Sequence, residues 1–507
     1  MYKHRISSIF CIIVTLIIFL LILLTLQSNP FAQIMPYHDS SMFLYFGSGI
    51  EHGLVPYTDM LDHKGPILFM INFFANIINP IFFNHGLFIF EIIFLVLDFY
   101  FLYKTSKLLI NSDHVFVCSL FIMAPLVTIT FGYGNYSEEY ALTFIIIALY
   151  LFTKLFFQNG SLSSTSLFMI GFLGALTFFI RPNMIMLWVV CCIALLVAGF
   201  FSIKKSLLGR QTFWIFLGGL CVTVIVAVYG IVTNSLKQMI SSSIILNFSY
   251  AGSSLSEKYT TAKYFINVLL HNNVGFVIAF YLIYLIIEYR SFSRKAKVYN
   301  LLVFFIAVLN FLTVILSGRQ YNHYLITELP YLFIFSLFAL NFIYEKLTNL
   351  KHLNLITMII MLAFITPFVQ IFKQEISYVN LETKSSYEFK ESYLKVSSYI
   401  ASNTNRNDEI YVHAIDANIY LQSKRFANSK LFVLPSLDYT KYSYLSSYFE
   451  RKMKKNPPKY IAISNIVYES DHQNNKRMNK FMYTILKKNF NEVKKFKNND
   501  ILLFKLK

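Results

Sequence analysis

Charge is scarce in this chain. Lys, Arg, Asp and Glu make up 14% of its 507 residues and apolar residues 56%, whereas soluble proteins carry nearer a quarter charged. That shortage excludes a soluble globular protein. Cysteine is rare too: Cys11, Cys118, Cys191, Cys192 and Cys221 all lie inside apolar runs, without a Cys-x-x-Cys or Cys/His ligand spacing. They read as small buried hydrophobes, which excludes a disulfide framework and a zinc site of that type. Lys3, His4 and Arg5 precede the apolar run 9–26 like the start of a signal peptide, yet no A-x-A cleavage pattern follows. The run therefore reads as an uncleaved first transmembrane helix with its N-terminus cytoplasmic. Internal repeats and low-complexity tracts are missing as well.

What is abundant is aromatic and aliphatic. There are 53 Phe and 35 Tyr, and apolar runs able to cross about 30 Å of hydrocarbon recur along the first three quarters. They fall near 9–26, 67–83, 86–104, 115–132, 140–157, 165–180, 183–202, 211–232, 268–288, 299–316, 325–344 and 354–372. If all cross, the basic loops alternate sides. If 67–83 instead lies along the interface, Lys104 and Lys107, Lys154, Lys204 with Lys205 and Arg210, the RSFSRKAK loop, and Lys346 with Lys351 all fall inside. Asn72, Asn76 and Asn79-Pro80 make 67–83 a poor lipid-exposed span in any case. The expectation is a mainly α, polytopic membrane protein with about 11 transmembrane helices. Residues 1–372 form the membrane domain, with a first outer loop at 27–66 and a juxtamembrane helix at 67–83.

From about 373 the composition turns polar. YLKVSSYIASNT reads as a helix, NDEIYVHAI and KYIAIS as strands, IYLQSKRFANS as helix or turn, NKRMNKFMYTILKKNF as an amphipathic helix and DILLFKL as a closing strand. Residues 373–507 are thus expected to form a small extracytoplasmic α/β domain. Much of the net charge of +18 lies after 440, in RKMKKNPPK and LKKNFNEVKKFKNN. A solvated lysine-rich face is the plain reading, and attraction to anionic lipid or an anionic wall polymer the functional one. Nucleic acid is not an expected partner of a domain tethered to a membrane.

This threading places the polar loops of interest on one face. The first contains MPYHDSSMFLYFGSGIEHGLVPYTDMLDHKGP. Asp39 opens a segment whose Met42, Phe43, Phe46 and Ile50 share a helix face, as in an interfacial amphipathic helix capped by Asp39 or Ser40. Asp59, Asp62, His63 and Lys64 then crowd before a Gly-Pro turn, and charges so close at a bilayer surface must pair or bind something. Further along stand GNYSEEYAL with adjacent Glu138 and Glu139, FFIRPNM with Arg181, and SGRQYNHY with Arg319, Tyr321, His323 and Tyr324. Adjacent residues on a helix point about 100° apart, so only one of the two Glu can face a given cleft. The alternative reading of both is first-turn acids complementing the helix dipole. Tyr and His at an interface are commonly belt residues. Glu91 and Asp98 are intramembrane acids for which a buried polar contact is the default.

The stretch HDSSMFLYFGSGIEHGLVPYTDMLDHKGP resembles the first outer loop of GT-C membrane glycosyltransferases. The nearest groups are bacterial relatives of the dolichyl-phosphate-mannose–protein mannosyltransferases and the lipid A aminoarabinose transferases. The resemblance covers residues 1 to about 330 and implies a catalytic carboxylate at Asp39 and a donor-phosphate contact at Lys64, with Asp62 and His63 beside it. It implies a second acid in the Glu138/Glu139 loop, Glu138 ahead of Glu139, and a lipid-phosphate contact at Arg181. Where the mannosyltransferases carry Asp-Glu, this chain has Asp39-Ser40, so a second acid must come from elsewhere.

These residues imply an inverting sugar transfer from a polyprenyl-phosphate donor to a cell-surface polysaccharide, lipid or protein, with membrane lipids around it. Asp39 is the expected base and Glu138 the second catalytic acid; Asp62, His63, Lys64, Glu139, Arg181, Arg319, Tyr321 and His323 are expected to bind substrate. A divalent metal near Asp39 and Glu138 is compatible with this chemistry, but no ligand spacing requires one. A lipid-linked sugar flippase or transporter and a polysaccharide polymerase or ligase are the rival readings. The expected place is the cell membrane, multi-pass.

Overall fold

The computed structural model describes residues 2–157, 162–200, 205–247, 253–347, 353–380, 384–434, 439, 442–469, 476–496 and 501–507. Two compact units emerge, and they do not follow chain order. One consists of Met1–Phe31, Phe88–Val228 and Ala251–Val379; the other of Ala32–Leu87, Tyr229–Tyr250 and Asn380–Lys507. Most of the first outer loop and the helix after it therefore group with the C-terminal residues. The expected boundary at 372/373 falls within the Ile365–Asn380 helix.

The first unit is a helical bundle. Among the described residues, six helices, including Gly86–Leu109, Asp113–Phe131, Ser137–Phe157 and Arg294–Leu316, are long and apolar enough to cross a bilayer. The number is up to eight if each of two bent pairs counts as one span. Other expected crossings fall on the shorter apolar helices Ile9–Thr25, Ser164–Phe178 and Met186–Val197. Two expected straight spans are broken. The run 268–288 contains the junction between Leu255–His271 and Val274–Glu288, bent by 87°, where Asn273 takes a left-handed φ of 64°. The run 354–372 breaks at Phe364, with a 61° bend into Ile365–Asn380. Serine starts several helices by accepting from a first-turn amide, as Ser112 does from Val115 and Ser163 from Ser166. Where Ser164–Phe178 meets Lys205–Val232, backbone touches backbone. A Cβ on Gly171 would sit 1.7 Å from the Ile215 carbonyl oxygen, so only glycine permits this approach.

The second unit is built on a four-stranded sheet of order β1-β2-β4-β3: β1 Ile410–His413, β2 Tyr460–Ser464, β3 Phe490–Phe496 and β4 Ile501–Leu506. β1 and β2 are parallel; β4 runs antiparallel to both neighbours. The Ser443–Lys455 and Lys476–Asn489 helices bury Leu445, Phe449, Met453, Met478, Met482 and Leu486 in one core with sheet residues Tyr411, Ile461, Ile463, Leu502 and Phe504.

The first outer loop is part of this unit. Its His38–Glu51 helix is not the exposed interfacial helix expected: Ser40, Ser41, Met42, Phe43, Tyr45, Phe46, Gly47 and Gly49 are all buried. Tyr45 stacks on Phe432 at 4.3 Å and Phe46 on Phe69 at 3.8 Å. The juxtamembrane segment forms a helix over Pro66–Ile77, with Pro at its first position and Asn79-Pro80 beyond its end. Twelve residues reach about 18 Å, too short to span a bilayer. Phe74, Ile77, Ile81 and Phe83 of this segment are exposed.

Candidate functional site

The sequence-predicted residues fall into two clusters, one in each unit. In the second unit Asp39 lies in the first turn of the His38–Glu51 helix, whose N-cap is Tyr37, without a side-chain capping bond. Neither Asp39 nor Ser40 is therefore the cap, and the capping explanation for Asp39 fails. Its Oδ2 sits 3.9 Å from Lys64 Nζ, and its side chain keeps 30% exposure. Lys64 is 7% exposed; its Nζ is 3.8 Å from Asp62 Oδ1 and 5.2 Å from the centre of the Phe43 ring.

The local chain explains how this lysine is held. Asp59 Oδ2 accepts from the Val55 amide at 2.8 Å, and Asp62 Oδ1 accepts from the Lys64 amide at 2.9 Å. Both aspartates thus bond their own turns, as Asp does when it replaces backbone partners. Tyr57, at a left-handed φ of 70°, donates its hydroxyl to the Lys64 carbonyl at 2.8 Å. Asn247 Nδ2 donates to the His63 carbonyl at 2.7 Å, and His63 Nδ1 lies 3.8 Å from Asp62 Oδ1. Burial pushes the Tyr57 phenol well above its ordinary range, so it remains a donor. The crowd of acids at 59–64 resolves into a scaffold that points one ammonium group toward Asp39.

The turn after β1 fastens onto the same helix start. The Ala417 amide donates to Ser41 Oγ at 3.1 Å, and Asn418 Nδ2 to the Pro36 carbonyl at 2.7 Å. Asp416 accepts from the Asn418 amide at 2.9 Å and from the Tyr393 hydroxyl at 3.2 Å, and it feels the charge of His38. Burial raises its carboxyl above the usual range. None of these residues was singled out from sequence. Their signal was an acid followed by small and polar residues just past the carboxyl end of a strand, IDAN, a common place for ligand contacts.

In the first unit Arg181 and Glu138 form a buried pair. Arg181 Nη1 donates to Glu138 Oε1, with both side chains at most 5% exposed. Ser137 Oγ donates to Glu138 Oε2 at 2.7 Å. Arg181 Nη2 donates to the Tyr324 hydroxyl at 3.2 Å, and the guanidinium lies 4.6 Å over the Tyr324 ring. His323 stacks on Tyr136 at 4.2 Å and meets Tyr324 edge-on. A small pocket opens here, lined by Glu138, Arg181, Asn183, Thr313, Ser317 and Thr327, among others. Its mixture of one cation, one carboxylate and several hydroxyls suits a small polar or anionic group.

Adjacent Glu139 turns another way. It accepts from the Tyr136 amide at 3.4 Å and is an electrostatic neighbour of Glu91 and Asp98, all three buried. Arg319 is an electrostatic neighbour of Glu257, and Tyr321 is exposed while stacking on His323. The structure therefore brings Arg181, Glu138, Tyr324 and His323 together, and Asp39, Asp62, His63 and Lys64 together. Glu139 and Arg319 have other neighbours. Tyr324 supplies the hydroxyl that the sequence-based choice of Tyr321 and His323 passed over. Among the described residues no group of three or more His, Cys, Asp and Glu side chains is placed to hold a metal ion.

Comparison of the whole fold finds ArnT from Cupriavidus metallidurans in the apo state, with a TM-score of 0.62 at 10% identity, covering 99% of this chain and 98% of that one. It also finds ArnT from Cupriavidus metallidurans bound to undecaprenyl phosphate, with a TM-score of 0.64 at 11% identity and 98% coverage of both chains. At such identities the likeness is one of fold alone: this chain folds as those ArnT chains do. A search of curated proteins gives no match. Residues 2–374 match the family model of the putative competence-induced protein Ccs4 N-terminal domain, and residues 390–507 that of its C-terminal domain. The chain belongs to the family of the putative competence-induced protein Ccs4.

Proposed function

We propose that the protein is an inverting glycosyltransferase that moves a sugar from a polyprenyl-phosphate donor to a cell-surface polysaccharide, lipid or protein. In this reading the N-terminus is cytoplasmic and the reaction takes place on the outer face. The observation that carries it is the Asp39–Lys64 arrangement: a part-exposed carboxylate in the first turn of a buried helix, 3.9 Å from a nearly buried ammonium. The undecaprenyl phosphate held by one of the structurally similar ArnT chains supports a polyprenyl donor.

Asp39 takes the proton of the acceptor hydroxyl as its oxygen attacks the anomeric carbon. The new carbon–oxygen bond forms on the face opposite the phosphate, and the bond to phosphate breaks with its electron pair going to the leaving oxygen. Lys64 meets the charge that develops there. Asp62 holds Lys64 in direction, and Glu138 with Tyr324 holds the guanidinium plane of Arg181. Such fixed orientation is what a site needs to favour the transition state. The test is Asp39→Asn assayed for transfer from a radiolabelled lipid-linked sugar in membrane vesicles. Loss of transfer with normal insertion supports the reading; retained turnover removes Asp39 as base.

A lipid-linked sugar flippase is the second reading, favoured by Glu91 and Asp98 buried within the Gly86–Leu109 helix. Glu91→Gln with Asp98→Asn separates the two. Movement of lipid-linked sugar across vesicles that collapses while transfer persists supports the flippase.

A further inference from the structure

The +18 of the chain is concentrated. Residues 441–507 contain 16 Lys and Arg against 5 Asp and Glu, so +11 falls in this segment. Within it, the Ser443–Lys455 and Lys476–Asn489 helices carry 9 basic residues and one acid, Glu450. Both helices cover the same face of the sheet and touch each other: Arg477 Nε donates to Glu450 Oε1 at 2.8 Å, and Lys454 Nζ stands 5.6 Å over the Phe481 ring. Four residues along each helix separate the first contact from the second, so the helices run side by side in the same direction. Lys454, Lys455, Lys480, Lys487 and Lys488 are exposed on the outer side. Lys480 and Lys487, two turns apart, are separated by about 10 Å along the axis. Lys487 also lies 4.2 Å from the ring centre of the exposed Tyr483. Like charges this close repel through about one Debye length of solvent, and an opposing polyanion relieves them.

The apolar side of these helices is spent on the sheet, with Met478, Met482 and Leu486 fully buried. Little apolar surface remains between the lysines to enter a bilayer. The Pro66–Ile77 helix and the turn after it, in the same unit, show the opposite pattern: Phe74, Ile81 and Phe83 exposed, with no Lys or Arg between 66 and 84. A lipid-facing surface in this unit therefore looks unlike the lysine layer. We propose that the outer layer formed by Ser443–Lys455 and Lys476–Asn489 binds an anionic polymer carrying phosphate along its length. In combination with the glycosyltransferase reading, on which this part rests, that polymer is the acceptor.

The test uses the full-length protein in phosphatidylcholine nanodiscs and a fluorescent synthetic poly(glycerol phosphate), followed by anisotropy across a salt series. Binding is expected to weaken at least tenfold in a variant combining Lys454→Gln, Lys455→Gln, Lys480→Gln and Lys487→Gln, with a shallower dependence on salt. All four positions are exposed, so the melting temperature is expected to stay unchanged. Binding is read without any sugar donor present, which keeps this result separate from the fate of the transfer reaction. Unaltered polymer binding by the quadruple variant overturns the proposal. So does a layer that captures vesicles of phosphatidylglycerol and phosphatidylcholine in equal parts through these lysines while ignoring the polymer.

Discussion

Asp39 and Glu138 each face a cation, in opposite manners. Asp39 keeps 30% exposure and meets Lys64 at 3.9 Å, a separation without a direct hydrogen bond. Glu138 is 3% exposed and is bonded directly to Arg181. A loose, partly hydrated pair exchanges partners at small expense in free energy. A buried one resists, because removing either member strands a charge in low dielectric. The difference assigns work. In the proposed reaction Asp39 is the carboxylate that takes the proton of the incoming hydroxyl, and Glu138 the strut that sets the direction of Arg181.

The largest expected effect breaks the comparison at its open end. Asp39→Asn is expected to lower transfer about 10³-fold, in the range of general-base removal, with little change in thermal stability. A second acid serving as base would show as a small loss. Next comes the closed end. Arg181→Ala is expected to destabilise the first unit by about 3–5 kcal/mol by stranding Glu138, read as reduced detergent-solubilised yield and melting temperature. Adding Glu138→Gln is expected to restore much of the stability while transfer stays low; a double variant that recovers both makes the arginine merely structural.

A third expectation lies away from both pairs. His413 is fully buried, and burial holds its imidazole down at about 4 from an ordinary 6.5. Its folded pKa lies below the unfolded one. The associated stability is therefore present above pH 6.5 and is lost as pH falls toward 4, about 3 kcal/mol in all. Melting curves across that window should show it, and His413→Gln should flatten it. The smallest effect belongs to Lys64→Ala, expected to raise the apparent KM for donor about tenfold with about 1 kcal/mol of stability lost. An equal change in acceptor KM argues against a phosphate contact.

Much of the architecture was legible because its causes are local. Apolar runs located the membrane helices, and β-rich stretches located three of the strands. Three features escaped. β3, FNEVKKF, reads only as part of a lysine-rich face, because its pairing with β4 comes from the partner rather than from its own propensity. The breaks at Asn273 and Phe364 lie inside hydropathy that looks continuous. The role of the His38–Glu51 helix was misread because its apolar face was judged without knowing that Phe432 and Phe69 cover it. For the site, the loop pattern brought attention to Asp39 and Lys64. Which of Glu138 and Glu139 meets Arg181 required coordinates, and so did the staple from Asp416 to Asn418.

The division of the second unit has a consequence for how the protein is made. Tyr45 of Ala32–Leu87 cannot stack on Phe432 until Asn380–Lys507 exists. At about 5–20 residues per second, the ribosome needs roughly 20–80 s to supply them after residue 87 has been added. During that interval Tyr45 has to be shielded by something other than its final companions. Truncation or stalling near the 3′ end of the message thus leaves a nascent product with Tyr45 uncovered.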